Sequence, residues 1–371
     1  MKSEKKETSC CASSVSTTCC SPKRQVNPQL DITGDYIAGW TESRIGKIPT
    51  VSTRLSKADK WGNLKVRLNI DRMKYKVQPG LYAVGNPGAD SPILVSANYK
   101  LSFDALRKEL SGIDAWVLVL DTKGINVWCA AGKGTFGTDE LIKRIEISGL
   151  GQVVNHRKII LPQLGAVGVA AHLVRKRSGF SVIYGPVRAS DIPVFLESGK
   201  KTTPEMRRVR FSFTDRLKIT PVEILQGAGK LFFVAAGFFL LSGISSKGYS
   251  LDWTAGITVL NLVMAYLAGT LLGPALLPWL PGRSFALKGA LAGLIVFLGL
   301  FWAQLTGSHP LQVAAWLLLI AALSSYLTMN FTGCSTYTSL SGVKKEMRFA
   351  VPVQIAAAVI GLALWISGQF I

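Results

Sequence analysis

The chain has 371 residues and a formal charge of +20, from 42 Lys and Arg against 22 Asp and Glu, with a mean hydropathy of +0.31. That pairing excludes an ordinary soluble single-domain protein and fits basic soluble segments joined to apolar membrane spans. Zinc-finger spacing, an RNP-type aromatic motif and a long basic helix are all missing, so nucleic acid is not an expected partner.

Residues 1–30 are rich in Ser, Thr and Lys without apolar periodicity and read as a disordered tail. It carries two vicinal pairs, Cys10 with Cys11 and Cys19 with Cys20. Vicinal thiols suit soft metals, but the spacing matches no zinc or iron–sulfur pattern, and their role stays open. The opening residues have no apolar core of a secretory signal, so the first domain is expected in the cytoplasm with reduced thiols.

Residues 31–200 read as a Rossmann-like α/β domain. From Asp35 to Tyr82 the pattern leans to β, with alternation over Leu64–Ile70. Strands are expected at Pro92–Ala97, Ala115–Leu120, Lys158–Leu161 and Phe180–Tyr184. The run Ala115–Leu120 is almost continuously apolar, as for a strand covered on both faces. Helices are expected over Ser102–Leu110 with Ser102 as cap, Thr138–Ile145, about Gly168–Lys176, and from Ser190. Alternation at this spacing implies a mainly parallel open sheet, whose ligands bind beyond the carboxyl ends of its strands.

Residues 201–220 form a basic linker containing Arg207, Arg208, Arg210, Arg216 and Lys218, placed to meet anionic lipid. Residues 221–371 hold five apolar stretches, about 222–241, 254–277, 285–305, 311–329 and 349–366, each near the ~20 residues that cross a bilayer. The loops around Arg283 and Lys288 and around Lys344, Lys345 and Arg348 are basic, and the alternate loops are nearly neutral. The positive-inside rule then gives a multi-pass protein of the cytoplasmic membrane, its first domain cytoplasmic and its C-terminus outside. Asn261 and Gln304 are the polar groups noted in spans, so anchoring is expected rather than transport.

Chemistry concentrates between Thr122 and Asp139. The glycines Gly132, Gly134 and Gly137 fit GxGxxG, but Ile125–Ala131 separate them from the strand. His156, Arg157 and Lys158 stand where a ribose-binding acid belongs, so a dinucleotide site is rejected. No HExxH or GxSxG occurs, nor the Asp-x-His-x-x-Gly signature that supplies an imidazole to cobalt. Cys129 remains. On its own, a cysteine between Trp128 and Ala130 reads first as an inert core residue. Its place just beyond a buried strand, the small residues that follow, and Lys133 four positions on favour a thiolate that could ligate a soft metal.

The stretch Asn126–Lys133 (NVWCAAGK) resembles the cap-helix motif of the mercury-methylating corrinoid proteins, the HgcA family. More broadly, Leu120–Gly137, Leu161–Gly165 and Tyr184–Val187 are similar to the corrinoid domain of the corrinoid iron–sulfur proteins of the acetyl-CoA pathway. Asn330–Gly342 also looks like a segment recurring in both. The five spans, and the lack of a four-cysteine cluster motif or barrel, set the chain beside the first family. That resemblance implies a cobalamin-type corrinoid with Cys129 as its lower axial cobalt ligand and no iron–sulfur cluster in this chain. Asn126, Val127, Trp128, Ala130, Ala131, Gly132, Lys133, Gly134 and Thr135 would shape the cofactor-binding segment. It further implies a methyltransferase that passes a methyl group from Co(III)–CH3 to Hg(II), making methylmercury. A small ferredoxin-like protein would supply electrons, and a methyltetrahydrofolate-linked protein the methyl group. The alternative is a membrane-bound corrinoid methyl carrier of acetyl-CoA-pathway-like one-carbon metabolism.

Overall fold

A computed structural model describes residues 32–246, 248–334 and 340–371. Cys10, Cys11, Cys19 and Cys20 lie outside these residues, as do residues 335–339 within Asn330–Gly342.

The soluble part is built on a seven-stranded mixed sheet. Its strands are β1 (Ile37–Ser43), β2 (Gly46–Val51), β3 (Gly80–Val84), β4 (Ile93–Ala97), β5 (Ala115–Leu120), β6 (Lys158–Leu161) and β7 (Ser181–Tyr184), in the order β1-β2-β3-β5-β4-β6-β7. The run β5-β4-β6-β7 is wholly parallel, while β1 pairs antiparallel with β2, and β3 with β5. With β2 and β3 also parallel, four of the six pairings are parallel, so the mainly parallel sheet expected from the alternation is found, with two antiparallel pairings added. Strands β4 and β5 are buried at every position, which explains their unbroken apolar sequence.

Helices α1 (Lys57–Arg67), α2 (Lys100–Arg107), α3 (Val127–Lys133), α4 (Thr138–Ile147), α5 (Leu150–Val153), α6 (Ala171–Ser178) and α7 (Ile192–Glu197) cover the sheet. Two clusters form the core. One includes Trp116, Leu118, Ala130 and Phe136, and the other includes Tyr82, Phe103, Val117 and Phe195.

Two local expectations are corrected. The alternating stretch from Leu64 enters α1 instead of a strand, because Ser56 and Asp59 form a reciprocal capping box that starts the helix. Asp59 is then buried in a network with Lys100, Asp104 and Arg107. Ser102 does not cap a helix; α2 starts two residues earlier, with Tyr99 as its N-cap.

After a short helix α8 (Phe213–Leu217), the chain enters α9 (Thr220–Leu241), a small β8–β9 hairpin (Ile244–Ser245 and Gly248–Tyr249), α10 (Trp253–Leu267), α11 (Gly273–Leu276), α12 (Phe285–Trp302), α13 (Pro310–Asn330) and α14 (Leu340–Ser367). A π-helical turn at Ala268–Leu272 joins α10 to α11. Five helical stretches are long and apolar enough to span a membrane: Phe213–Leu241, Trp253–Leu276, Phe285–Trp302, Pro310–Asn330 and Ser341–Ser367. This agrees with a multi-pass protein. Glycines let these helices approach closely; a Cβ on Gly289 would meet the Ser324 carbonyl oxygen at 2.7 Å.

The two parts touch through the segment between them. Val187, just past the carboxyl end of β7, donates its N–H to the Met206 carbonyl. Arg188 pairs with Asp215 of α8 at 3.0 Å, and Arg216 donates to the Ala275 carbonyl at 3.0 Å. The carboxyl edge of the parallel strands is thus tied at β7 to the chain that leads into the spans.

Candidate functional site

The site grows from the end of β5. After Leu120 the chain must turn sharply before α3, and Lys123 (φ 59°) and Gly124 (φ 75°) both take left-handed backbone. Glycine suits the second position, since a Cβ there would press on the Met73 carbonyl oxygen at 3.3 Å. Buried Asn98 holds the turn from within. Its Oδ1 accepts the N–H groups of Thr122 (3.1 Å) and Gly124 (2.9 Å), and the Thr122 hydroxyl lies 2.8 Å away. Its Nδ2 reaches Asp121 at 3.3 Å. Burial works to raise the Asp121 carboxyl, but hydrogen bonds from the Lys123 side chain and backbone outweigh it and hold it below the usual range.

Both ends of α3 are set by sequence. Asn126 is the N-cap, its Oδ1 accepting the Cys129 N–H at 2.9 Å, and Gly134 (φ 81°) closes the helix in left-handed conformation. Thr135 folds back, its N–H bonded to the Ala130 carbonyl. The glycines that imitate a dinucleotide fingerprint therefore serve a helix–turn–helix: Gly134 ends α3, and a Cβ on Gly137 would strike the Gly134 carbonyl oxygen at 2.6 Å.

One face of α3 is inward. Val127, Ala130 and Ala131 are buried in the core and seat the helix. Cys129, Gly132, Lys133 and Gly134 are exposed, and Trp128 is half-buried. This removes the core reading of Cys129: its thiol is free and exposed. Lys133 follows one turn later, within reach of the same helix face. Gly132 has no atom within 4 Å of where a Cβ would stand. The outer face is thus small and open around a single sulfur. Among the described residues, no group of three or more His, Cys, Asp or Glu could hold a metal ion.

Beside α3 a cavity of about 350 Å³ opens at the carboxyl ends of the parallel strands. Asn126, Val127 and Trp128 line it with Leu94, Ser96, Ser102, Leu161, Pro162, Gly185, Pro186 and Val187. The wall is mostly apolar with a few hydroxyls, as expected for an organic ligand at the open edge of an α/β sheet. Ser102 finds its place here. Leu161, Pro162 and Gly185–Val187 belong to stretches whose resemblance was evident in sequence, whereas Ser96 and Ser102 carried no signal of their own.

Tyr99, Arg67 and Arg72 also escape a sequence reading. Burial raises the Tyr99 phenol against the pull of Arg72 and Arg67.

The family described as CO dehydrogenase/acetyl-CoA synthase delta subunit (CdhD) matches residues 63–196. This range holds the turn, α3, the cavity and the parallel strands, and it stops before the spans. Curated relatives include the acetyl-CoA decarbonylase/synthase complex subunit gamma of Archaeoglobus fulgidus, 32% identical over 142 residues, covering 36% of this chain and 29% of that protein. The same subunit of Methanopyrus kandleri is 33% identical over 128 residues (34% and 27%), and that of Methanosarcina acetivorans 34% identical over 133 (34% and 27%). The chain thus spans less than a third of the length of these relatives.

Proposed function

We propose that the chain is a membrane-anchored corrinoid protein that carries a methyl group in one-carbon metabolism, with Cys129 as the residue that would hold the cobalt. The observation that carries this reading is the exposed, unpartnered Cys129 on a helix capped at both ends, beside an apolar cavity. The likeness to subunits of acetyl-CoA decarbonylase/synthase complexes over that same region supports it.

The residues present fit such a group. A thiolate is a soft, strong donor to a transition metal. The exposed face of α3 is small, and the neighbouring cavity offers an apolar wall to the organic part of a cofactor. When bound, the corrinoid supplies a cobalt that accepts a methyl group and gives it up to an acceptor. The chain contributes position. Asn98 and Thr122 hold the turn, Asn126 fixes the first turn of α3, and Val127, Ala130 and Ala131 lock the helix on the core so that the sulfur keeps one place. Gly132, Lys133, Gly134 and Thr135 complete the segment that faces the cofactor.

A second reading, an enzyme that methylates Hg(II), is favoured by one specific observation. Asn126–Lys133 resembles the cap-helix motif of the mercury-methylating family, and five apolar helices follow in the same chain. The carrier reading draws on the named relatives, and the mercury reading on the motif and the spans. On either reading the chain lies in the cytoplasmic membrane with its corrinoid domain in the cytoplasm. A ferredoxin-like protein would supply the electrons, and a methyltetrahydrofolate-linked protein the methyl group. The experiment is methyl transfer by the full chain, loaded with methylated corrinoid, offered Hg(II) or a thiol acceptor in parallel. Faster transfer to the thiol supports the carrier, and faster transfer to Hg(II) supports the methylase. Transfer to neither, with corrinoid bound, would remove both.

A further inference from the structure

A second cavity, wider than the one beside α3, lies among the apolar helices, away from Cys129. It measures about 1060 Å³ and opens between the start of α12, the end of α13 and the first half of α14. Counting spans from α9 places its mouth on the same side of the bilayer as the α/β region, since two crossings separate the start of α9 from the start of α12.

Its lining changes with depth. At the mouth stand Arg283 and Lys345, and among the described residues neither has a carboxylate partner. Glu346 is also there, but its Oε1 is engaged, accepting from the Ser284 hydroxyl (2.9 Å) and from the Ala286 N–H (2.6 Å) at the start of α12. Glu346 keeps its negative charge, but its bonds turn it onto α12, and with Arg283 and Lys345 the mouth carries one net positive charge. Further along α14 the wall becomes apolar, with Phe349 and Val353, which are 65% and 68% exposed in the isolated chain. Deepest is Gln354, 7% exposed. Its Nε2 donates to Ser325 at 2.8 Å, while its Oε1 is buried without a partner among the described residues. An orphaned amide oxygen costs free energy unless a hydroxyl or water reaches it, and this cavity is wide enough to bring one.

Two unpaired cations at the membrane surface, an apolar wall beneath them and an unsatisfied acceptor at the floor together describe the recognition of an amphiphile. We propose that the α12–α13–α14 cavity binds one anionic phospholipid, its phosphate held by Arg283 and Lys345 and an acyl chain laid along Phe349 and Val353. Basic pockets between spans are suited to anionic headgroups. Lysine and arginine divide the task, since the Arg283 fork can grip two phosphate oxygens while Lys345 acts as a point charge. A bound lipid would bridge α12 and α14, which otherwise meet at this level through Glu346.

The test uses the purified full chain in detergent, with phosphatidylglycerol and phosphatidylcholine of matched chains as probes. Native mass spectrometry reads retained lipid, and thermal unfolding reads stabilisation. The wild type should retain one phosphatidylglycerol in preference to phosphatidylcholine. Arg283→Gln/Lys345→Gln should lower that preference by about 10- to 30-fold, as expected for removing two headgroup charges, while lipid-free unfolding stays unchanged. Val353→Trp, which fills the apolar wall, should lower retention of both lipids. Equal retention of the two lipids by the wild type, or an undiminished preference in the double variant, would overturn the proposal. So would stabilisation by inorganic phosphate alone matching that given by the lipid, since the apolar wall would then have no part.

Discussion

Asn98 Oδ1 lies 2.9 Å from the backbone nitrogen of Gly124 and accepts its hydrogen bond across 26 residues of sequence. The same oxygen serves Thr122, so one buried amide sets the path of the chain from β5 into α3. Replacing Asn98 by Leu strands two N–H groups, at about 1–3 kcal/mol each. Thermal unfolding of the full chain in detergent should drop accordingly, and Cys129 alkylation should change rate as α3 shifts. Asn98→Asp alone sets two carboxylates together at positions 98 and 121. Combining it with Asp121→Asn restores one donor and one acceptor, and should recover much of the loss. No recovery would mean that Asn98 acts through its volume.

Asn126 is the next support. Asn126→Ala removes the side-chain acceptor of the Cys129 N–H and should cost about 1 kcal/mol, whereas Asn126→Asp should retain most of the cap. Hydrogen exchange at the amides of α3 reads this directly. Faster exchange at Cys129 is expected in the alanine variant and not in the aspartate one.

Gly132 and Gly168 separate surface from packing. Gly132 points into open space, so Gly132→Ala should leave the fold intact or stabilise it by about 0.5–1 kcal/mol. On the proposed reading it should nonetheless weaken corrinoid binding, because the added methyl would stand on the face toward the cofactor. A Cβ on Gly168 would meet the Phe136 carbonyl oxygen at 2.2 Å and the Ala131 Cα at 3.1 Å. Gly168→Ala should therefore destabilise by about 1–3 kcal/mol through displaced backbone. Unfolding curves and corrinoid titrations of the two variants should diverge in this way.

The network of Asp59, Lys100, Asp104 and Arg107 sets a pH dependence. Burial works to raise the Asp59 carboxyl, but hydrogen bonds from Lys100, Ser56 and Arg107 outweigh it and hold it far below the ordinary 3.8. As pH falls, the unfolded chain takes up this proton before the folded one does. Stability is therefore complete above about pH 4 and is lost progressively below it. Arg107→Met leaves two buried carboxylates with one cation and should cost about 3–5 kcal/mol. Unfolding midpoints measured from pH 7 down to pH 3 check both.

Much of this arrangement was legible in sequence because the relevant signals are local. The unbroken apolar run Ala115–Leu120 gave a buried strand at the observed bounds, and the lengths of the apolar stretches gave five helices long and apolar enough to span a membrane. Asn126 and Gly134 are recognisable caps, and the stretch between them carries the resemblance. What escaped depends on contacts distant in sequence. The alternation from Leu64 concealed a helix that Ser56 and Asp59 begin and Arg107 anchors. Asn98 lies 23 to 26 positions from its partners in the turn, and nothing near it announces that role. Gln354 sits within an apolar stretch, and only the meeting of α13 and α14 makes it a buried amide.

The central claim is that Cys129 sulfur stands beneath the cobalt of a bound corrinoid. The most direct measurement is the visible absorption of the full chain reconstituted with corrinoid, compared for wild type, Cys129→Ala and Cys129→His. The wild type should show cobalt–sulfur charge-transfer absorption. The alanine variant should lose it while unfolding at the same temperature, and the histidine variant should replace it with the spectrum of a nitrogen-ligated cobalt. An unchanged spectrum in the alanine variant, with corrinoid still bound, would contradict the assignment.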